Sequence, residues 1–138
     1  MSELKRTILY QAHLDAGATM VDFGGWDMPI HYPEGIIAEH LYCRRHCGIF
    51  DVSHMGRIDV EGPDQVAFLQ HVLSSNVLAL DLNQAQYCII PDANGYAIDD
   101  AYLYRFEEGK YFLVINAGNI DKDWAHLMNE AKNFDVKL

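Results

Sequence analysis

The sequence predicts an α+β fold, a mainly antiparallel sheet with helices packed on one face. Runs rich in β-branched and aromatic residues follow one another closely between residues 84 and 116, and short polar turns join them, which is how antiparallel strands meander. Apolar residues at helical spacing flank that block on both sides. Half of the 138 residues are hydrophobic and 22% are charged, so a core can form and the length suits one domain or slightly more.

The elements are read in order. Thr7 to Ala16 carries a weak helical pattern that stops near Gly17. Met20 to Tyr32 is rich in aromatics, Gly and Pro and reads as extended. Pro33-Glu34-Gly35 opens a helix with Ile36, Ile37, Leu41 and Tyr42 at helical spacing, and Gly48 stops it. Ile49 to Val60 reads as a strand. Gly62-Pro63-Asp64 starts the next helix, which carries Val66, Phe68, Leu69 and Val72. Gln84 to Ile90 and Tyr96 to Phe106 are strands joined through Pro91-Asp92-Ala93-Asn94-Gly95, where Asn-Gly is the strongest short hairpin signal. A second turn at Glu107-Glu108-Gly109-Lys110 leads to a strand over Tyr111 to Asn116. Asn119 to Phe134 is an amphipathic helix with Ile120, Trp124, Leu127, Met128 and Ala131 facing inward. Asp135 to Leu138 resembles the start of another strand, so a partner strand or domain is expected beyond it.

Charge and composition exclude several classes. The formal net charge is -10, which repels phosphate backbones and anionic lipid heads, so neither nucleic acid nor a membrane surface is expected as a partner. No run of about 18 apolar residues occurs, and the first residues lack an apolar signal region. Three cysteines without a disulfide framework suggest a reducing, cytoplasmic setting.

Strand parity makes one sharp statement. Alternate side chains share a face, so Ile98, Asp100, Tyr102 and Tyr104 lie on one side, and Asp99 on the other. Asp99-Asp100 is therefore not a carboxylate dyad. A two-residue loop at Asn94-Gly95 pairs Tyr87 with Tyr102, and a four-residue turn pairs it with Asp100; either register puts Tyr87 on the face of Asp100 and Tyr104. The third strand adds Phe112, Val114 and Asn116. A heteroaromatic ligand can stack and hydrogen-bond on such a face. The competing reading is a core layer of tyrosines with an edge aspartate, but Asp is depleted from strands and seldom buried without a partner.

Other polar residues give weaker patterns. His40, Cys43 and Cys47 stand at i, i+3 and i+7 of one helix and could offer three ligands to zinc, yet a structural zinc site takes four; the plainer reading is two small apolar cysteines. Ser53 and His54 are neighbours in a strand and point apart, which argues against a nucleophile pair. His13, His31, His46, His71 and His126 share no spacing and read as surface or satisfied core residues.

Several segments together resemble one family. They are Met20-Val21-Asp22-Phe23-Gly24-Gly25-Trp26-Asp27-Met28-Pro29, Gly48-Ile49-Phe50-Asp51-Val52-Ser53-His54-Met55-Gly56, Ile98-Asp99-Asp100, and Val114-Ile115-Asn116-Ala117-Gly118-Asn119 followed by Asp121-Lys122-Asp123. In order and spacing they are similar to the N-terminal part of the aminomethyltransferases, the T proteins of the glycine cleavage system. The resemblance implies an enzyme that takes an aminomethyl group from the lipoyl arm of the H protein, releases ammonia and passes the one-carbon unit to tetrahydrofolate. It implies that Asp100 is the catalytic aspartate, and that Tyr87 and Tyr104 line the folate cavity with Met55, Val114 and Asn116 as further wall positions; no metal is implied. Those positions coincide with the face obtained from parity alone.

The sequence departs from the family at Gly95-Tyr96, where Gly-Gly is usual, and at Asn76-Val77, where Asn-Asp is usual. Family members are more than twice as long, and their later segments supply a glutamate, an arginine and aromatics to the folate site. The expectation is therefore residues 1–138 as an N-terminal folate-binding part that is inactive or weak alone and self-associates through the face its later domains would cover. The alternatives are a free-standing folate-binding or assembly module and a fragment of a related folate-dependent demethylase.

Overall fold

The computed structural model describes residues 3–138, and the chain divides into two compact units, Met1–His54 and Met55–Leu138. The first contains helix α1 (Tyr10–Asp15), strands β1 (Thr19–Phe23) and β2 (Trp26–His31), and helix α2 (Ile36–Arg45). The extended stretch expected over residues 20–32 is a hairpin, with Phe23 paired to Trp26 across the Gly24-Gly25 turn.

The second unit contains β3 (Gly56–Glu61), α3 (Gln65–Val72), β4 (Gln84–Pro91), β5 (Ala97–Glu107), β6 (Lys110–Ile115) and α4 (Ile120–Glu130). Its four strands are antiparallel in the order β3-β6-β5-β4. Thus β4, β5 and β6 meander as expected, and β3 joins the far side of β6. Because β3 and β4 are the two edges, the α3 connection must cross the sheet between them.

One face of this sheet is the core. Ile58, Val60, Cys88, Ile90, Ala101, Leu103, Tyr111, Leu113 and Ile115 bury against Phe68, Leu69 and Val72 of α3 and Leu127 of α4. The helices thus cover a single face, as the α+β reading requires. Close approach at Gly56 is part of that packing: a Cβ there would lie 2.5 Å from Ile115 Cγ1 and 3.0 Å from Ile120 Cγ1.

Four local expectations are corrected. Residues 49–55 form no strand, and β3 begins only at Gly56; Asp51 instead turns the chain by accepting the Ser53 N–H at 2.9 Å. The parity argument about Ser53 and His54 therefore loses its footing. His54 is buried beside the Phe23 and Trp26 rings of its own unit. Second, α2 ends at Arg45, since His46 is extended with φ -134° and ψ -153°. Cys47 therefore leaves the helix, His40 and Cys47 are exposed, and among the described residues no group of three or more His, Cys, Asp or Glu side chains is placed to hold a metal. No α2 residue is buried, so Ile36, Ile37, Leu41 and Tyr42 face solvent within this chain.

Third, α4 is rotated from its expected setting. Trp124 and Met128 are about two-fifths exposed (39% and 42%), and Asp123 is fully buried in their place. The inward stripe runs through Ile120, Asp123 and Leu127, a spacing as helical as the expected one. Fourth, the β4–β5 connection is not a two-residue loop. Asp92 N–H donates to Tyr96 O at 2.8 Å and Gly95 N–H to Asp92 O at 3.0 Å, with Gly95 alone in the left-handed region at φ 84°. A bulge at Pro91 then restores the register in which Tyr87 pairs with Tyr102. The Asp92 carboxylate fixes the turn by accepting the Asn94 and Tyr96 N–H groups. Near its end the chain adds one antiparallel bridge, Lys137 to Glu61, to the free edge of β3.

Candidate functional site

The sheet face opposite α3 and α4 carries the sequence-predicted residues. The observed register sets Ala85 opposite Tyr104, Tyr87 opposite Tyr102 and Ile89 opposite Asp100. It also sets Tyr102 opposite Val114 and Tyr104 opposite Phe112. Their neighbours Cys88, Ala101, Leu103, Leu113 and Ile115 are buried in the core, so alternation directs Tyr87, Asp100, Tyr102, Tyr104, Phe112 and Val114 outward together.

The outward rings form a continuous strip. Tyr87 meets Tyr102 edge-on at 5.6 Å, Tyr102 meets Tyr104 at 6.2 Å, and Tyr104 stacks on Phe106 at 5.3 Å. Tyr87 and Tyr102 remain about half exposed (52% and 48%). The strip is therefore a surface of aromatic faces, not a packed core layer. At its upper end Tyr87 neighbours Asp100, and partial desolvation followed by the Asp100 charge pushes the phenol above its ordinary range. A carboxylate that borders aromatic faces offers a planar, polar heterocycle both stacking and a hydrogen-bond acceptor.

The amide of Asn116 holds the carboxylate from the other side. Its Nδ2 donates to Asp100 Oδ1 at 2.9 Å and approaches Asp100 O at 3.1 Å. The same nitrogen lies 3.0 Å from Asp99 Oδ1. Parity alone separates Asp99 from Asp100, but the β5–β6 ladder ends at Ala101 and Ile115. Beyond that pair Asn116 is free of the ladder and spans the strand end, touching both acids. Asp99 also accepts from Asn119 Nδ2 at 3.1 Å. Burial of Asp99 opposes ionisation, but Asp123, Asn116, the Asp100 N–H and Asn119 outweigh it and keep its carboxyl below the ordinary range.

Met55, the remaining predicted wall residue, is half-buried immediately before β3. The β3–β6 ladder starts at the next residue, where Gly56 pairs with Ile115. Sequence reasoning missed Asp99, Asn119 and Asp123. The signal for Asp123 was available, because a carboxylate at i+3 from Ile120 and i−4 from Leu127 sits on an apolar stripe.

A second polar cluster lies in the first unit. The buried His13 ring hydrogen-bonds Tyr32 Oη at 2.8 Å through Nδ1 and Asp51 Oδ2 at 2.9 Å through Nε2. Burial raises the Asp51 carboxyl, but His13 and Ser53 prevail and hold it well below the usual range. This unit also has a cavity of about 740 Å³ lined by Ile30, Tyr32, His40, Tyr42, Cys43 and Phe50 among others.

Known proteins resemble this chain in sequence and fold. Residues 9–138 match the model of the GCVT N-terminal domain. The chain is 52% identical over 135 residues to an aminomethyltransferase of Deinococcus deserti, covering 98% of this chain and 38% of that protein. It is 48% identical to an aminomethyltransferase of Thermus thermophilus, with the same coverage of 98% and 38%. The crystal structure of the glycine cleavage system aminomethyltransferase T from Bartonella henselae superposes with a TM-score of 0.91 at 41% identity, covering 97% of this chain and 37% of that one. The chain thus spans well under half the length of these relatives. A family match over nearly the whole sequence, together with the shared fold, places this chain in the GCVT N-terminal domain family.

Proposed function

We propose that this chain is the folate-facing N-terminal part of an aminomethyltransferase of the glycine cleavage system, acting in glycine catabolism and one-carbon metabolism in the cytoplasm. The full activity would move a one-carbon unit from the aminomethyl-lipoyl arm of H protein to tetrahydrofolate with release of ammonia. The observation that carries the reading is the Asp100 carboxylate, held by Asn116 at the end of an outward aromatic strip that begins at Tyr87. Among the described residues no helix is long and apolar enough to cross a membrane.

The residues present suit one wall of a folate site. Tyr87, Tyr102 and Tyr104 offer ring faces to a pterin and aminobenzoate, and Met55, Val114 and Asn116 complete the wall. When bound, tetrahydrofolate supplies the nitrogen that accepts the one-carbon unit. Asp100, fixed in direction by the Asn116 amide, orients the N–H it faces and stabilises positive charge developing nearby. Ligand sites bury roughly 70–90% of their ligand, so a single wall binds folate weakly. The chain covers 38% of its relatives, and H protein and the second folate wall belong to the complete enzyme in this reading. The exposed apolar side chains of α2 support self-association of the isolated chain.

The test is Asp100→Asn in a complete aminomethyltransferase carrying this segment. A positioned acid–base or charge-stabilising group contributes roughly 10²–10⁴-fold, so turnover should fall by that order while thermal unfolding is unchanged. Unaltered turnover with folded protein refutes the role.

A further inference from the structure

Asp123 stands apart from every other carboxylate in the second unit. It has no solvent exposure, and neither of its oxygens meets an N–H or hydroxyl donor. Its polar neighbour is Asp99, close enough for the two carboxyl groups to share a hydrogen bond once one of them is protonated. Two carboxylates can share such a bond only if one of them holds a proton. Which one follows from the donors: Asp99 accepts from the Asn116 and Asn119 amides, whereas Asp123 accepts from none. Asp99 is therefore the anion and Asp123 the neutral acid.

We infer that Asp123 is a positioning residue for Asp100: its carboxyl O–H fixes Asp99, Asp99 fixes the Asn116 amide, and that amide fixes the Asp100 carboxylate. The step is a hydrogen bond and not a transfer, so the proton stays on Asp123 Oδ. The relay crosses the sheet, because Asp123 lies on the helix-covered face and Asp100 on the aromatic one. The end of the β5–β6 ladder at Ala101 and Ile115 lets Asn116 connect them.

The charged groups that face Asp123 are Asp99 and Asp100 from β5 and Lys122 from α4 itself. The Lys122 ammonium is drawn toward Ile98 O at 2.7 Å and only partly offsets the two acids. Burial first, then Asp99, push the Asp123 carboxyl up to about 7. Loss of its proton near neutrality would set two anions together and loosen the Asn116 amide.

The inference rests on Asp100 as the reacting carboxylate, but its test does not need turnover. Carboxyl and side-chain amide resonances of the 138-residue chain are followed by NMR between about pH 4 and 9. The expected result is Asp123 titrating near neutrality, with the Asn116 side-chain amide and Asp100 carboxyl shifting at the same midpoint. In Asp123→Asn, whose amide N–H replaces the acid proton, the Asn116 resonances should lose that transition and stay at their low-pH positions. An ordinary acidic midpoint for Asp123, or an Asn116 amide indifferent to its ionisation, overturns the inference. Preserved coupling in a chain that fails to bind folinic acid supports the relay and removes the folate reading instead.

Discussion

The polar network around Asp100 turns on single atoms. Asn116 Nδ2 stands within reach of two carboxylates and a carbonyl, and hydrogen bonds to charged groups are each worth roughly 1.5–3 kcal/mol. Asn116→Ala should therefore destabilise the chain by about 1.5–3 kcal/mol in urea unfolding at neutral pH, and a variant as stable as wild type would deny the amide its role. The two buried acids bias stability in opposite senses. Asp123 has a folded pKa near 7, above its unfolded value. Its contribution is complete below the ordinary carboxylate range and disappears as pH rises toward 7. Asp51 is depressed, so its contribution is present above the ordinary carboxylate value and is lost as pH falls below it. Denaturation midpoints measured against pH should therefore decline from weakly acidic to neutral solution in wild type but not in Asp123→Asn. On the acid side, the drop at the lowest pH should shrink in Asp51→Asn. At this scale parity in the sequence put Asp100, Tyr87 and Tyr104 on one sheet face, as the register has them. It did not disclose Asn116 as a bridge, because parity ends where the ladder ends.

Individual elements show where local patterns suffice. The β4–β5–β6 meander was legible because alternation and the Asn94-Gly95 turn agree. The turn's internal geometry was not, because Asp92 captures the Asn94 and Tyr96 N–H groups and favours a bulged turn. Residues 49–55 carry strand-like side chains, yet Asp51 bonds the Ser53 N–H and the His13 ring instead. The rotation of α4 was hidden by hydrophobicity itself: Trp124 outranks Asp123 as a core residue on any scale, but the Asp99–Asp123 contact takes the inward position. Gly56 tests the helix–sheet seam. The Cβ of Gly56→Ala would meet Ile115 Cγ1 at 2.5 Å, and overpacking of this kind costs about 1–3 kcal/mol. Chemical denaturation should register that loss, and an unchanged midpoint would mean that Ile115 yields without cost.

Across the molecule, the two units differ in how fully they bury their apolar side chains. The second has a closed core. The first leaves Ile36, Ile37, Ile49 and Phe50 largely exposed (59%, 76%, 96% and 72%), surface that soluble proteins rarely leave open. Sedimentation of the isolated chain should accordingly reveal concentration-dependent association, and a strict monomer at high concentration would contradict that expectation. The family was legible because its motifs span nearly the whole sequence. The solvent-facing side of α2 was not, because helical spacing marks an apolar stripe without saying what covers it.

In this reading the outward face of the β4–β5–β6 sheet receives a folate. Titrating folinic acid into the isotope-labelled chain tests it most directly. Saturable shifts, weak in affinity, should be confined to Tyr87, Asp100, Tyr102, Tyr104, Val114 and the Asn116 side chain, and reduced in Asp100→Asn. Shifts gathered instead around the cavity of the first unit, or no saturable change up to millimolar ligand, would contradict it.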